Sequence, residues 1–293
     1  MLVTSINSVK KRERTELILK KVNTLSPIPR ILSEVLQLLN DPYTSPNILA
    51  KAISKDQSVV LKLLTIANSP FYGLTKRVSS IEFAIMILGY DEIRNIVTAL
   101  SLMESIKNKS DQYLDQRIFW MHSIVTATIA KKLAMDFSLE KNGEAFIAGL
   151  LHDLGLSVIH RFMHSDFVAI CDLMKQGIPS LEAEKEVLGL SHGAIGEVLL
   201  TNWNIPEVIT EIVRYHHSPH LSQNVPVLTS VVHLADYMTQ KLQVGQLGWD
   251  SSNELNEHIF TTLHIKDLVE LGKFMDSYKD PLNAQIESLK HFL

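Results

Sequence analysis

The stretch GLLHDLGLSVIH, residues 149–160, decides how this chain is interpreted, because it places a histidine beside an aspartate inside an apolar segment of helical periodicity. A buried charge is costly unless it is paired or bound to a metal, so His152 and Asp153 predict partners elsewhere in the chain. Neighbouring helical residues point about 100° apart, so one site receives both side chains only if it lies between their directions. The alternative is that Asp153 caps a helix or pairs with a nearby donor.

Helical periodicity extends outward from this stretch over most of the chain, and the 12 glycines and 10 prolines fall mostly between the apolar segments. No alternating strand pattern or short hairpin signal stands out. The fold class is therefore predicted to be all-α, in two packed helical parts. Ser45 is a predicted N-cap with Pro46 at the first helical position, and Gly89 is a predicted turn between two helices.

Polar stretches suggest the domain limits. We predict a polar, basic and solvated tail at 1–14, a main domain at 15–245 and a C-terminal helical segment at 246–293. Within the main domain, the N-terminal helical half is predicted at 15–106 and the second half at 115–245.

One further turn is predicted where Asn68 and Ser69 precede Pro70. These residues should end a helix there. Phe71 and Tyr72 would then fill the seam against the second half. A binding role for this segment is the less favoured alternative.

Composition excludes some classes of function. The 28 basic and 32 acidic residues give a net charge of −4, which shows no bias toward nucleic acid or an anionic membrane. Cys171 is the only cysteine, so an internal disulfide and a thiolate zinc cage are both excluded. The N-terminus does not read as a secretory signal and no apolar run approaches membrane-spanning length, so we expect a cytoplasmic protein.

Histidines on other helices are the candidate partners of the His152–Asp153 pair. His122 shares a helical stripe with Ile118, Val125 and Ile129, which predicts that it points inward. A lone inward histidine is more often a hydrogen-bonded core residue than a ligand.

Two further histidine positions lie at predicted helix ends. His192 opens a helix that Ser191 can cap, and His216 and His217 close a helix before Pro219. Histidine near a helix C-terminus is also favoured by the helix dipole, which is the structural alternative for that pair.

The last member of the set is Asp236, three residues after His233 on nearly the same face of an apolar helix. Together these residues supply the nitrogen and oxygen ligands that suit Fe, Mn, Zn or Ni. The candidate metal ligands are His122, His152, Asp153, His192, His216, His217 and Asp236.

The order H, HD, H, HH, D resembles that of the HD superfamily of metal-dependent phosphohydrolases. The chain is more closely similar to the HDOD family, the HD-related output domains of bacterial signalling proteins, over roughly residues 20–240. The matching stretches are LSPIPRILSEVLQLLNDP, LAKAISKDQSVVLKLLTIANSPFYG, VSSIEFAIMILGYDEIRNIV, AGLLHDLGLSVI, LGLSHGAIGEVLLTNWNIPEVITEIVRYHHSP and VVHLADYMT.

The resemblance implies a two-part all-α fold and a regulatory role, in a family where many members are considered degenerate enzymes. The related HD-GYP phosphodiesterases, which cleave cyclic di-GMP, carry a lysine just beyond the Leu-Gly step of the HD pair, where this chain has Leu156. They also carry a Gly-Tyr-Pro signature soon after the HH pair, which HHSPHLSQNVPV lacks. Both departures remove groups associated with phosphate substrates.

Two functions remain open. The favoured one is a signal-transduction module with a retained metal site for one or two divalent ions, with Fe or Mn preferred over Zn or Ni. Binding of the metal or of a nucleotide ligand would change the helix packing, and a signalling-protein partner would recognise that change. The alternative is an active metal-dependent phosphohydrolase or phosphodiesterase acting on a nucleotide or cyclic dinucleotide, in which Asp153 would bridge the ions. We expect no membrane association. Nucleic-acid binding through the basic tail is the weakest alternative, given the acidic net charge.

Overall fold

Helices account for every regular element in the computed structural model, which describes residues 2–25, 34–35, 37–39, 41, 43–69, 74, 76–106, 108–250 and 254–290. The predicted all-α fold class is confirmed over these residues, which contain no strand. The α-helices are α1 Leu2–Leu25, α2 Pro46–Ile53, α3 Gln57–Ala67, α4 Ile81–Leu88, α5 Tyr90–Ile106, α6 Gln116–Asp136, α7 Asn142–Leu151, α8 Leu154–Phe162, α9 His164–Lys175, α10 Ser180–Leu188, α11 His192–Asn202, α12 Glu207–Tyr215, α13 Pro226–Lys241, α14 His258–Thr262, α15 Leu268–Asp276 and α16 Lys279–Lys290. Short 3₁₀ helices lie at Pro219–Leu221 and Gly248–Asp250.

Local signals place the helix ends of the N-terminal half where the sequence predicts them. The Ser45 hydroxyl accepts a hydrogen bond from the Ile48 amide at the start of α2. Gly89 adopts a φ of 82° between α4 and α5, a conformation that favours glycine. Asn68 ends α3, and its side-chain amide pairs with both the N–H and the C=O of Val78. Phe71 and Tyr72 lie outside the described residues.

Residues 2–14, within the predicted tail, form the first part of α1, and most side chains described at 9–14 are exposed. This helix packs on the second half of the molecule. The Thr15 hydroxyl donates to the Leu188 carbonyl at 2.8 Å, and Arg14 pairs with Asp166. These contacts anchor the middle of α1 on α9 and α10. The predicted domain limits themselves remain predictions.

The most apolar segment, Asn142–Phe162, runs through the centre of the second half. By length and hydropathy it meets the requirement for crossing a membrane, so the expectation that no described segment would do so is wrong. However, 89% of its apolar window is buried inside the protein. The segment is therefore core, packed so closely on α6 that a Cβ at Gly149 would lie 2.8 Å from the Ala127 Cα.

This segment is not a continuous helix, since α7 ends at Leu151 and α8 begins at Leu154. Asp153 leaves helical geometry, with φ −99° and ψ 11°, and its carbonyl accepts a hydrogen bond from the Leu156 amide at 2.9 Å. The sequence predicts an unbroken periodic run here. The break places His152 and Asp153 at a bend, where both side chains turn toward the same point.

Glu211 on α12 fixes the turn that follows the His216–His217 pair. Its carboxylate accepts hydrogen bonds from the Ser222 hydroxyl, the Gln223 amide, and both the backbone and side-chain amides of Asn224, at 2.7–2.9 Å. Burial alone would raise the pKa of Glu211, but these hydrogen bonds together lower the pKa below its ordinary value.

Because the folded-state pKa of Glu211 is lowered, its charge contributes stability that is present above about pH 4.3 and is lost as the pH falls through the folded pKa. We expect Glu211→Gln to unfold with a free energy about 1–3 kcal/mol below wild type at neutral pH. The gap should narrow toward about pH 3, as wild type loses the contribution. Urea titrations at both pH values measure this, with the exposed Glu257→Gln as control. A pH-independent gap would contradict the assignment.

Candidate metal centre

All seven predicted ligands come together at one buried point, although they lie on five separate parts of the fold. Asp153 and the imidazoles other than His217 are 0–1% exposed at their side chains, Asp236 is 3% exposed and His217 is 8% exposed. The contributing segments are α6 with His122, the α7–α8 break with His152 and Asp153, the first residue of α11 with His192, the end of α12 with His216 and His217, and α13 with Asp236.

Asp153 lies at the middle of the cluster, and its two carboxylate oxygens face two different pairs of histidines. Oδ2 is 3.5 Å from Nε2 of His122 and 3.3 Å from Nε2 of His152. Oδ1 is 3.2 Å from Nε2 of His192 and 3.6 Å from Nε2 of His216. Neither oxygen accepts a hydrogen bond, which is a costly state for a carboxylate buried away from water.

The other two residues each extend one side of the cluster. Asp236 Oδ1 is 3.4 Å from His122 Nε2 and also accepts no hydrogen bond. His217 Nε2 is 3.1 Å from His192 Nε2 on the opposite side. The ligand atoms thus form two groups that share Asp153.

Backbone carbonyls set the orientation of three of the imidazoles. A carbonyl only accepts hydrogen bonds, so the Nδ1 that contacts it carries the proton, and Nε2 of the neutral ring presents a lone pair to the cluster. The three pairs are His122 Nδ1 with Gly245 O at 2.9 Å, His152 Nδ1 with Gly149 O at 2.8 Å, and His216 Nδ1 with Val213 O at 2.7 Å.

Glu184 orients the fourth imidazole, and the sequence analysis missed it. Its carboxylate accepts from His192 Nδ1 at 2.8 Å and from the His192 backbone amide at 2.6 Å. The Trp249 indole N–H donates to the same carboxylate at 2.6 Å. A carboxylate behind a histidine raises its basicity as a metal ligand. The only signal in the sequence was an acidic residue one helix before Ser191, which has no distinctive spacing.

The pKa values of the clustered residues are shifted by burial and by the charges of their neighbours. Burial raises the pKa of Asp153, but the facing imidazoles, His152 foremost, lower it well below its ordinary range. Burial lowers the pKa of His192, but Glu184 and Asp153 outweigh this and raise it well above the ordinary value. Burial lowers the pKa of His217, and the charges of its histidine neighbours lower it further. A proton on His192 therefore supplies positive charge that a cation can replace.

The donor set fits a divalent cation. The Nε2 atoms of His122 and His152 are 3.1 Å apart, with the lone pairs of the two neutral rings directed at each other. The Nε2 atoms of His192 and His216 are 3.3 Å apart. Nitrogens bound to one ion at about 2.1 Å and at adjacent coordination positions are about 3 Å apart, which removes this repulsion. Nitrogen and oxygen donors without thiolate suit a first-row transition metal.

One predicted position differs from the structure. Ile118, assigned to the buried stripe of His122, is 46% exposed, whereas Val125 and Ile129 are buried. His233, which was not among the predicted ligands, supports the cluster from outside: its Nδ1 donates to the His216 carbonyl at 2.7 Å and its Nε2 accepts from the Asn256 amide at 2.9 Å. Burial lowers the pKa of His233 to about 4, so it is a neutral support for the His216 backbone.

Glycines allow the elements that carry the ligands to approach closely. A Cβ at Gly155, on the first turn of α8, would lie 2.0 Å from the carbonyl oxygen of His192. A Cβ at Gly193, on α11, would lie 2.8 Å from the carbonyl oxygen of Val213. Residues without a side chain at these positions bring His192 against Asp153 and against the end of α12.

Comparison with known structures agrees with this architecture. An HDOD domain protein of unknown function from Geobacter sulfurreducens superposes with a TM-score of 0.73 at 24% identity, over 94% of this chain and 98% of that one. A candidate phosphohydrolase from Shewanella amazonensis SB2B gives 0.71 at 22%, over 94% and 98%. A candidate signal transduction protein from Marinobacter aquaeolei VT8 gives 0.70 at 22%, over 97% and 66%.

The all-α fold and the buried histidine–aspartate cluster define a protein of the HD-related kind. The chain belongs to the HDOD domain family, whose model matches residues 25–219. An uncharacterized protein from Treponema pallidum is 24% identical over 235 residues, or 78% of this chain. The match spans 45% of the length of that relative.

The close contact between Gly155 and the His192 carbonyl can be tested by substitution. Gly155→Ala forces α8 away from the His192 carbonyl, so we expect a loss of about 1–3 kcal/mol in unfolding free energy and a large fall in bound metal. Gly272→Ala is the matched control, because its Cβ would enter open space within α15 and should be neutral or slightly stabilising. Chemical unfolding and elemental analysis measure both effects. Equal metal content in the two variants would contradict the packing argument.

Proposed function

We propose that this chain is a regulatory HDOD module of bacterial signal transduction, built around a divalent metal centre. The observation that carries the proposal is Asp153, whose two buried oxygens accept no hydrogen bond and face separate histidine pairs. Such a carboxylate is stable when cations occupy both sides of it.

The arrangement would suit two ions, one on the side of each oxygen of Asp153. His122, His152 and Asp236 would hold one ion on the Oδ2 side, and His192, His216 and His217 would hold the other on the Oδ1 side. Imidazole and carboxylate donors suit Fe or Mn, and Zn and Ni accept similar donors.

Burial favours regulation over turnover. The most exposed of the seven side chains is 8% accessible, and Leu156, where HD-GYP enzymes carry a lysine, is fully buried in the core. A phosphate substrate needs a path to the ions and a positive group to meet it, and neither of these residues supplies one.

The module would act through helix packing. Five segments contribute side chains to the cluster, so loss of the ions leaves several buried charged and polar groups facing each other and loosens the packing of α6, α8, α11, α12 and α13. We propose that a signalling-protein partner in the cytoplasm distinguishes the metal-bound helix packing from the metal-free packing.

Metal content tests the centre directly. In protein purified without chelator or His-tag capture, we expect Fe or Mn at one to two equivalents in wild type. His152→Ala and the nearly isosteric Asp153→Asn should both lose most of it, because each removes a group that faces the shared point. His258→Ala, an exposed histidine outside the cluster, is the control. Equal metal in wild type and both site variants would refute the ligand assignment.

The alternative function is a metal-dependent phosphohydrolase, which the bridging position of Asp153 and the description of the Shewanella relative both favour. Bound ions would polarise a phosphoryl oxygen and acidify a water. In that case Asp153 and the six other ligands fix the geometry. His217, at the least buried edge, is the residue that an entering substrate would meet first.

Turnover separates the two functions. We expect Fe- or Mn-loaded protein to leave cyclic dinucleotides, nucleoside triphosphates and a chromogenic phosphodiester unchanged, because the centre is buried. Chromatography of the products and absorbance provide the readout. Hydrolysis by wild type that disappears in Asp153→Asn, with both proteins folded, would reverse the proposal in favour of the enzyme.

A further inference from the structure

A second histidine–aspartate cluster lies away from the buried centre, and nothing in the proposed function uses it. It consists of Asp111, in the segment between α5 and α6, and of His160 and His164, at the junction of α8 and α9. His160 follows Asp153 by seven residues, which is about 10 Å along α8. Its ligand set is therefore distinct from that of the centre.

The cluster is preorganised. The Oδ1 atom of Asp111 accepts from the backbone amides of Tyr113 and Leu114 at 2.8 and 3.0 Å, which turns Oδ2 toward the histidines. Oδ2 is 2.9 Å from His160 Nε2 and 3.7 Å from His164 Nε2. The first distance is a hydrogen bond, whereas the second is too long for one and is compatible with two ligands of one ion.

The two histidines differ in exposure, since His160 is buried and His164 faces solvent. The His160 side chain is 3% exposed and packs edge-on against Phe167, with the ring centroids 4.9 Å apart. The side chains of His164 and Asp111 are 50% and 32% exposed, so the site faces solvent. A buried ligand fixes the position and two accessible ligands allow an ion to enter.

Asn108 lies behind His160, with its side-chain amide 2.7 Å from Nδ1. A side-chain amide can donate to Nδ1 or, after rotation, accept from Nδ1–H. Asn108 therefore supports both the tautomer that donates to Asp111 and the tautomer that presents the Nε2 lone pair to a cation. Such outer-shell partners orient metal-binding histidines.

We propose that Asp111, His160 and His164 bind a Zn²⁺ ion at the surface, with the remaining coordination positions open to water. Two imidazoles and a carboxylate with an open position are a common zinc donor set. Burial raises the pKa of Asp111, but the hydrogen bonds from the Tyr113 and Leu114 amides and from His160 together lower the pKa below its ordinary value.

The ion would connect two parts of the fold. Asp111 belongs to the segment that joins the predicted N-terminal half to α6, and the histidines belong to the second half. Zinc would tie that segment to the α8–α9 junction and stabilise the folded chain in proportion to its occupancy.

Zinc titration in a background with a weakened buried centre tests the site. Because His152→Ala leaves His192, His216 and His217 in place, chelator-stripped His152→Ala should bind one equivalent of Zn²⁺ more than the variants that also lack a surface ligand, measured by competition with a chromophoric chelator, and zinc should raise its melting temperature. His152→Ala/His164→Ala and His152→Ala/Asp111→Asn should lose that equivalent and that shift. His152→Ala/His258→Ala is the matched control. Co²⁺ should give visible d–d absorption in the proteins that retain the site.

The outcomes separate this site from the proposed metal centre. Equal zinc binding with and without His164 overturns the surface site and leaves the centre unaffected, whereas metal retained in His152→Ala at its wild-type level overturns the centre alone. If His152→Ala does not fold, wild type and His164→Ala are compared after circular dichroism confirms both folds. The loss of one equivalent supports the site, and no loss overturns it.

Discussion

The structure depends on one buried carboxylate. Asp153 lies at a break between two core helices, fully enclosed, with histidine nitrogens within about 3.6 Å of both oxygens and no hydrogen bond to either. An uncompensated charge in such a place costs several kcal/mol, so the fold is stable when positive charge surrounds Asp153. The close approach of α8 and α11, which Gly155 permits, serves that requirement.

Support for the centre reaches well beyond its ligands. Glu184 links His192 to Trp249, whose ring stacks on Phe167 at 4.6 Å, so the chain after α13 helps to hold α11 in place. His233 and Asn256 support the backbone carbonyl of His216 in a similar way. The polar break after residue 245 is therefore part of the site's framework, although its composition resembles that of a simple linker.

Much of the fold and the ligand set could be predicted from the sequence, because both depend on local patterns. Periodicity predicted the helices, Ser45 and Gly89 marked helix ends, and the order of histidines and aspartates, which resembles that of the HD superfamily, implied one cluster. Prediction from periodicity was incomplete where tertiary contacts determine the local structure. Residues 2–14 are part of a helix that Thr15 anchors on α10, and the apolar run at 149–160 bends at Asp153. Glu184 was missed since a lone glutamate on a helix has no distinctive spacing.

The sequence by itself determined the fold class, the family resemblance and the identity of the seven residues, since these follow from residue types and their order. Only the tertiary structure decided which imidazole nitrogens face inward and that Asp153 divides the cluster into two groups. It also brought Asp111 to His160 and His164, which are 49 and 53 positions later in the printed sequence. Distances between segments depend on how helices pack, and helical periodicity specifies which face of a helix is buried without specifying which partner covers it.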